Sequence, residues 1–358
     1  MISKALVVGA YQRKTEELAK LPGVELLVVV PPAWIQEGSP LRLERTYTAG
    51  YEMAVEPMAL NGHFHVHFYP WLRRRFAHFR PDVVHVDEEA YNLATFQAVR
   101  LARRFGAHSV FFTWQNLDRR YPFPFSALEK YVLRSADACI AGNEEAAHIQ
   151  RRRGFGKGIE VIPQFGIDPE LFQRRAAPSH EGFVVGFSGR LVPQKGLWVL
   201  CDAFEQLPQD CRLLLVGAGP LETELHARAS DRGWADRLTI TSAGSTRMPE
   251  LYSQMDCLAL PSLTTPAWKE QFGRAAVEAM ACEVPVVGSD SGEIPHVLGD
   301  AGIVVPEGNS AALAAAILRM RHGQARPDGR ARVLQNFTQQ HVARATYDVY
   351  RRIIDESK

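Results

Sequence analysis

The sequence predicts an α/β protein built from two doubly wound, Rossmann-like domains. Short β-branched runs alternate along the chain with segments that carry apolar residues at helical spacing, which is the pattern of βα units on parallel sheets. Several runs, such as residues 213–216 and 257–260, are apolar at consecutive positions, as strands covered on both faces must be. With 358 residues the chain also exceeds what one hydrophobic core usually organises, so two domains are expected.

Each half of the chain supplies its own set of predicted strands. In the first half they are residues 4–9, 24–31, 63–70, 82–87, 109–114, 138–142 and 160–163. In the second half they are residues 183–189, 212–217, 237–243, 257–262, 284–290 and 302–306. The intervening segments, for example residues 92–105, show the apolar spacing that predicts helices.

A segment with neither strand-like nor helix-like spacing of apolar residues separates the two sets of strands. Residues 163–180 are rich in proline and polar groups, which places the domain boundary near residues 173–181. The expected N-terminal domain spans residues 1–175 and the expected C-terminal domain residues 176–337, with a final helix at 338–356 that packs back on the first domain. Ligands of this architecture bind at the carboxyl ends of the strands, so site residues are sought in the loops that follow strands.

Composition and charge exclude several classes of protein. The net charge of +1 lacks the basic excess of a nucleic-acid binder. With 46% hydrophobic and 23% charged residues, the composition is that of a folded globular protein and contains no tract typical of disorder. The 5 cysteines lack Cys-x-x-Cys spacing and indicate reduced thiols. A cytoplasmic location is expected, because we find no leader of signal-peptide length and no apolar run near the roughly 20 residues of a membrane-spanning helix.

Two loops in the second half have features that suit a phosphate. Arg190 and Lys195 follow the strand at residues 183–189, and two permanent cations at the carboxyl end of a strand suit a diphosphate. A solvated charged turn is the alternative for this loop. Gly217 and Gly219 follow the next strand and allow the backbone to approach a ligand. They lack the third glycine of the dinucleotide fingerprint, so a tight turn also explains them.

A pair of glutamates after the strand CLALPS is a more specific feature. Glu270 precedes a helix that opens near Phe272 or Gly273, and Glu278 lies inside this helix among apolar residues. A buried carboxylate needs a partner, which sugar or ribose hydroxyls would supply. The helix N-terminus at Gly273 and Arg274 offers backbone amides and a positive dipole end to the same phosphates. A capping glutamate and an exposed helical glutamate are the alternative, which the neighbouring basic loop disfavours.

These stretches resemble a known family. The second half resembles the nucleotide-sugar half of the family 4 retaining glycosyltransferases, whose GT-B fold has two Rossmann-like domains facing a central cleft. The matching stretches are GFSGRLVPQKG, LLLVGAGPLETEL, DRLTITSAG, LYSQMDCLALPS, EQFGRAAVEAMACEVPVVGSDSGEIP and GDAGIVVPEGN. The first half resembles the family more loosely, through PDVVHV, SVFFTW, SADACIAGNEEAA and VIPQFGIDPELF. The resemblance implies a retaining hexosyltransferase that moves a sugar from a UDP- or GDP-type donor to a saccharide, lipid or small-molecule acceptor.

The same resemblance implies roles for individual residues. Arg190 and Lys195 hold the donor diphosphate, Glu270 orients the donor sugar, and Glu278 binds the nucleotide ribose. The other implied donor-binding residues in this half are Gly189, Gly217, Gly219, Phe272, Gly273 and Arg274. No Asp-x-Asp motif appears where a metal-dependent transferase would need one. No metal and no cofactor are therefore expected, since the nucleotide sugar is itself a substrate.

One motif departs from the family pattern. Where the family often has Thr-x-His after a first-domain strand, this chain reads Thr113, Trp114, Gln115 and Asn116. Gln115 can donate a hydrogen bond to the donor sugar but cannot exchange a proton as imidazole does. The resemblance implies front-face attack in which the leaving phosphate accepts the proton, so the change removes no general base.

The acceptor is expected to meet loops of the first half. Glu88 and Glu89 follow the strand DVVHVD and are candidates for acceptor binding, although a helix-capping turn explains them equally well. Gly9, Asn116 and Arg120 are the other candidates on this side. Nothing in these residues identifies the acceptor.

Membrane contact and loss of catalysis are two open alternatives. Residues 71–80 and 151–153 are rich in arginine and favour either a peripheral contact with the inner face of an anionic membrane or a solvated helix face. A catalytically inert nucleotide-sugar-binding protein is one alternative to a transferase, and Gln115 is the residue that favours it. A nucleotide-sugar epimerase on the same architecture is another.

Overall fold

The computed structural model describes residues 1–36, 38–176, 181–324 and 328–356. The chain divides into two compact units, which are Met1–Gly166 with Gln339–Lys358 (unit 1) and Ile167–Thr338 (unit 2). The expected boundary between residues 175 and 176 lies inside unit 2, and residues 177–180 of the predicted boundary segment lie outside the described residues.

Parallel strands form the centre of unit 1. Hydrogen bonds join them in the orders β1-β4 and β5-β6-β7-β8, and Ile2 bridges Val29 and Val86. The strands are β1 (Leu27–Val30), β2 (Ala33–Gln36), β3 (Ser39–Arg42), β4 (Glu52–Val55), β5 (Val83–Val86), β6 (His108–Thr113), β7 (Ala138–Ala141) and β8 (Gly158–Val161). The first helices are α1 (Arg13–Ala19), α2 (Leu72–Phe79), α3 (Leu93–Phe105), α4 (Phe125–Ser135) and α5 (Glu144–Arg152). Strands β2 and β3 form an antiparallel hairpin.

Two of the strand predictions for the first half are wrong. Residues 4–9 form 3-10 turns, and residues 63–70 form turns with a single bridge from Phe68 to Ala59. Leu6, Val7 and Tyr69 are buried whereas Phe64 is exposed, and backbone bonds within the segments, such as His67 N to His63 O, replace a ladder. Burial alone does not distinguish a strand from a buried turn. His63, His65 and His67 alternate in the sequence of this segment, but they do not line one face of a strand, since His63 is exposed and His67 is buried.

Unit 2 contains one six-stranded parallel sheet in the order β11-β10-β9-β12-β13-β14. The strands are β9 (Phe183–Ser188), β10 (Cys211–Val216), β11 (Leu238–Thr241), β12 (Cys257–Leu260), β13 (Val286–Ser289) and β14 (Ile303–Val305). The helices are α6 (Leu197–Phe204), α7 (Glu222–Asp231), α8 (Met248–Tyr252), α9 (Arg274–Ala281), α10 (Ile294–Leu298), α11 (Ser310–Arg321) and α12 (Gly329–Asn336). The strand order reverses between β9 and β12, which makes the carboxyl ends of these two strands the expected ligand position.

The last helix, α13 (Gln339–Asp355), belongs to unit 1. Its residues Val342, Val349 and Ile353 are buried in a cluster with apolar side chains of β6 and β7. None of the described helices is both long and apolar enough to span a membrane. All 5 cysteines are buried free thiols, and the described residues contain no cluster of metal-ligating side chains.

Candidate functional site

The loops that follow β9 and β12 meet at the reversal of strand order in unit 2. Arg190 is exposed just after β9, and Lys195 ends the 3-10 turn Pro193–Lys195 that leads into α6. The loop after β12 carries Glu270 and continues to α9. The sequence folds this way because two buried parallel strands end side by side, which brings their following loops together.

Lys195 and Glu270 are in direct contact across these two loops. Lys195 Nζ lies 2.7 Å from Glu270 Oε2, and the Ser262 hydroxyl donates a hydrogen bond of 2.8 Å to the same oxygen. Lys195 Nζ also lies 5.0 Å from the centroid of the Trp268 ring. Glu270 is buried, so the pair is held in a restricted geometry. The arrangement places one cation and one hydrogen-bond acceptor at the carboxyl edge of the sheet.

Glu278 is fixed by two neighbours that differ from the expected sugar hydroxyls. The Tyr252 hydroxyl lies 2.9 Å from Glu278 Oε2, and Arg274 Nε donates to Oε1 at 2.7 Å, one turn earlier in α9. The Tyr252 hydroxyl also lies 3.2 Å from Ser188 Oγ, at the end of β9. Burial, followed by the Glu278 charge, raises the pKa of Tyr252 well above its ordinary value. The Tyr252 hydroxyl is therefore a neutral donor that connects Glu278 to β9.

Gly217 and Gly219 have a steric role in placing the β9 loop. A Cβ on Gly217 would lie 1.9 Å from Gly189 O, and one on Gly219 would lie 2.4 Å from Leu191 O. Only glycine therefore lets the loop after β10 lie against the backbone on either side of Arg190. The sequence predicted a close approach at these glycines, and the backbone that they approach is that of the neighbouring loop.

The N-terminus of α9 follows directly from the Glu270 loop. Gly273 caps the helix with φ +77 and makes no side-chain cap hydrogen bond, and the first turn contains no acidic residue. The positive end of the helix dipole is thus not offset by an acidic side chain in the first turn. Phe272 is partly buried, and its ring meets that of Phe337 edge-on with the centroids 5.6 Å apart. Its side chain therefore packs in unit 2.

The other candidate carboxylates lie beside a cavity of about 490 Å³ in unit 1. Glu88 forms a buried ion pair with Lys4, and its Oε1 lies 3.6 Å from His67 Nε2. Burial acts to raise the pKa of Glu88, but the charge of Lys4 and the interaction with His67 outweigh it and lower this pKa to about 2. Glu89 accepts hydrogen bonds of 2.7 Å from the Thr113 hydroxyl and of 2.7 Å from the Trp114 amide, and burial raises its pKa to about 7.

Gln115 and the remaining first-half candidates are held by local contacts within unit 1. Gln115 donates to Leu117 O at 3.3 Å, and its oxygen accepts a bond of 3.0 Å from Arg153. Its amide is thus engaged at both ends by its own loop and by the residue after α5.

Gly9, Asn116 and Arg120 occupy three different environments. The Gly9 amide donates to a Glu44 carboxylate oxygen at 2.6 Å, and a Cβ at this position would lie 2.1 Å from the Thr46 hydroxyl oxygen. Gly9 therefore serves the close packing of this loop. Asn116 is buried, whereas Arg120 is exposed.

The fold and this site define a class of protein with two Rossmann-like α/β domains and the GT-B fold. The Thermosynechococcus elongatus sucrose-phosphate synthase superposes with a TM-score of 0.72 at 20% identity, covering 96% of this chain and 92% of that one. The Anabaena protein Alr3699/HepE, solved in complex with UDP, gives a TM-score of 0.73 at 19% identity and 98% coverage of both chains. These likenesses confirm the predicted fold class.

Sequence comparison gives the family. The family described as "Glycosyl transferases group 1" matches residues 182–322, and "Glycosyltransferase Family 4" matches residues 15–171. This chain belongs to the group 1, family 4 glycosyltransferases.

Curated relatives cover the chain only in part. The D-inositol 3-phosphate glycosyltransferase of Mycobacterium leprae is 31% identical over 253 residues, which is 64% of this chain and 57% of that protein. The 2-deoxystreptamine glucosyltransferase of Streptomyces kanamyceticus is 27% identical over 214 residues, or 54% of each. The matches span about half the length of such relatives.

Sequence reasoning missed three side chains that contact the predicted site residues. Tyr252, Ser262 and Trp268 contact Glu278, Glu270 and Lys195 respectively. Ser262 had a detectable signal, because it is the last residue of the predicted strand whose loop carries Glu270. Tyr252 had none, since only the packing of α8 beside α9 shows that it reaches Glu278.

Proposed function

We propose that this protein is a metal-independent, retaining hexosyltransferase that uses a nucleotide-diphosphate sugar. The observation that carries the proposal is the contact of Lys195 with Glu270 at the reversal of strand order, next to the N-terminus of α9. A UDP-type donor is favoured, because the solved neighbour from Anabaena was crystallised with UDP. In this proposal unit 2 holds the donor.

The proposed chemistry relies on charge that develops during bond cleavage. Breaking the bond from the sugar to the diphosphate places negative charge on the leaving group and positive charge on the sugar ring. Arg190, Lys195 and the amides at the start of α9 stabilise the departing diphosphate, and such contacts strengthen as the transition state forms. The acceptor hydroxyl attacks from the same face, and its proton passes to the leaving phosphate.

Glu270 and Glu278 have separate roles in this scheme. Glu270 accepts hydrogen bonds from the hydroxyls of the donor sugar, while Lys195 orients the carboxylate. Glu278 accepts hydrogen bonds from the ribose, with its carboxylate held by Tyr252 and Arg274. Because the protein supplies the cations itself, we expect a metal chelator to leave turnover unchanged.

The acceptor side and a membrane contact are assigned to unit 1. Glu88 and Glu89 line the cavity proposed for the acceptor. A second groove has an apolar floor rimmed by exposed arginines. This combination suits contact with the inner face of an anionic membrane. Its lining residues include Phe68, Leu93, Phe96, Leu101, Arg73, Arg100 and Arg104.

The cluster at residues 151–153 supports membrane contact less well. Arg153 is mostly buried and pairs with Glu129 and Asp118, and Arg152 lies 3.5 Å from Asp118. Its charge is therefore partly neutralised within the protein. Cosedimentation with phosphatidylglycerol vesicles tests the groove instead. We expect the protein to cosediment with the vesicles and the triple change of Arg73, Arg100 and Arg104 to Gln to abolish this binding.

A thermal-shift screen of nucleotide-diphosphate sugars tests the donor assignment. A ligand at 100 times its dissociation constant adds about 2.7 kcal/mol of stability, so a true donor raises the melting temperature clearly. Incubation of that donor with an acceptor panel then measures transfer and the anomeric configuration of the product. Stabilisation without transfer or donor hydrolysis over a broad panel would favour the inert binding protein, and an inverted product would contradict retention.

A further inference from the structure

The cavity of unit 1 combines aromatic rings with carboxyl groups. Its volume is about 490 Å³. Its aromatic lining residues are Tyr11, Trp34, Phe64, Phe112 and Trp114. A concave site walled mainly by aromatic and aliphatic side chains, with a few fixed polar groups, has the composition of a small-molecule site.

The charged residues that line this cavity are mostly acidic. Asp87, Glu88 and Glu89 line it together with a single basic residue, Lys4, within the described part of the chain. Lys4 is already committed to the wall, because it pairs with Glu88 and lies 4.4 Å from the centroid of the Phe64 ring. Lys4 therefore offers little to an incoming anion.

The other two carboxyl groups differ in how they are compensated. Asp87 accepts a hydrogen bond of 2.7 Å from the Ser3 hydroxyl, and the charge of buried Lys14 acts on it. Glu89 accepts hydrogen bonds from the neutral donors of Thr113 and Trp114 and forms no ion pair among the described residues, although the charge of Lys4 also acts on it. It also retains exposed surface.

Glu88, the neighbour of Glu89 in the cavity wall, is already engaged by protein side chains. Glu88 is 4% exposed and pairs with Lys4, and its buried Oε1 lies 3.6 Å from His67 Nε2. Glu88 is therefore engaged within the wall, which leaves the partly exposed Glu89 as the carboxyl group that meets a ligand.

We propose that this cavity binds a protonated amine, so that the acceptor is a polyhydroxylated ring that carries an amino group. The proposal rests on the proposed function and specifies its acceptor. An ammonium group would pair with Glu89 and contact the aromatic walls, which attract cations through their ring faces. A phosphate ester would instead meet three carboxyl groups and a lysine that is already paired.

Amine binding is coupled to ionisation of Glu89. The groups that face Glu89 are Glu88 and Lys4 in the cavity wall, the Tyr91 and Tyr121 hydroxyls, and the Cys139 thiol. Burial raises the pKa of Glu89 to about 7, so a bound cation favours the ionised form and releases a proton near neutral pH. Binding therefore strengthens as pH rises through about 7.

Calorimetric titration with three sugars that differ at one carbon tests the proposal. The probes are 6-amino-6-deoxyglucose, glucose and glucose 6-phosphate, titrated into the full chain at pH 8. We expect the amine to bind about five-fold tighter than glucose, and the phosphate ester to bind most weakly. The binding enthalpy of the amine at pH 7 should vary with the ionisation enthalpy of the buffer, because a proton is released.

Two variants and a second ligand complete the test. Glu89→Gln should abolish the preference for the amine, whereas Glu25→Gln, which changes an exposed carboxylate of unit 1, should preserve it. Equal binding of all three sugars, no binding of any, or an amine preference that survives Glu89→Gln would overturn the proposal. UDP is titrated in parallel: if UDP fails to bind while the amine preference holds, the proposed function fails and the amine site stands.

Discussion

The Tyr252 hydroxyl lies 2.9 Å from Glu278 Oε2 and so joins the end of α8 to the first turns of α9. Because the same hydroxyl lies 3.2 Å from Ser188 Oγ, Tyr252 connects the proposed ribose-binding carboxylate to the end of β9. The orientation of Glu278 is therefore set by side chains from α8 and from α9 itself.

Replacing Tyr252 with phenylalanine should weaken donor binding more than it slows chemistry. The change leaves a buried carboxylate oxygen without one donor, which costs about 1–3 kcal/mol of folding stability. We expect a raised KM for the nucleotide sugar with a smaller change in kcat, measured by steady-state kinetics alongside urea unfolding. Ser188→Ala is the matched control, since it contacts the Tyr252 hydroxyl without touching Glu278. An unchanged KM in Tyr252→Phe would show that Glu278 does not depend on this contact.

Removing either cation of the β9 loop should slow turnover sharply. Lys195→Met and Arg190→Ala should each lower kcat about 10²- to 10³-fold, by analogy with the loss of one donor from a preorganised anion site. Arg212→Ala is the control, because Arg212 is exposed on β10. Single-turnover measurements with saturating donor separate this effect from weaker binding. Near-normal turnover in either variant would remove that residue from the mechanism.

A methyl group at Gly219 should disturb the same loop without touching a charged residue. The added Cβ would lie 2.4 Å from Leu191 O, so the backbone beside Arg190 must shift. Such overpacking costs about 1–3 kcal/mol, and we expect both a lower melting temperature and lower activity in Gly219→Ala. Gly244→Ala is the control, because its Cβ would meet nothing within 4 Å. Equal stability of the two variants would mean that the loop after β10 tolerates displacement.

Much of unit 2 follows from its sequence, whereas unit 1 follows less well. Strands such as β10 and β12 are almost entirely buried, so a continuous apolar run identifies them, and the loops that follow such strands are where a ligand is expected. Residues 4–9 are equally apolar, yet they form 3-10 turns. Strand β3 was not predicted, because it is a mostly exposed edge strand that contains Pro40.

The candidate site also contains contacts that the sequence can predict and contacts that it cannot. The loops that carry Lys195 and Glu270 are adjacent because their strands are adjacent, which a strand pattern can indicate. The Tyr252 contact with Glu278 and the ion pair of Lys4 with Glu88 depend on packing between distant segments. No local pattern of residues encodes such contacts, and only the folded chain shows them.

Glu88 and Glu89 are adjacent in the chain but should respond to pH in opposite ways. Burial raises the pKa of Glu89 from 4.5 to about 7, so between these pH values the folded chain binds more protons than the unfolded chain. The free energy of unfolding therefore falls as pH rises through this window. Glu89→Gln should remove this loss and make unfolding less dependent on pH, by about 1–3 kcal/mol between pH 5 and pH 8.

The pKa of Glu88 shifts in the opposite direction, because Lys4 and His67 outweigh the effect of its burial. Its pKa is lowered from 4.5 to about 2, so its stabilisation is present above about 4.5 and is lost as pH falls toward 2. Glu88→Gln leaves Lys4 buried without its carboxylate and should cost about 3–5 kcal/mol at pH 7. Urea unfolding of both variants at pH 5 and pH 8 compares the two carboxyl groups directly. If Glu88→Gln and Glu89→Gln shifted stability in the same direction at pH 8, the charge assignment of this cavity would be wrong, and the amine-binding proposal would lose its electrostatic basis.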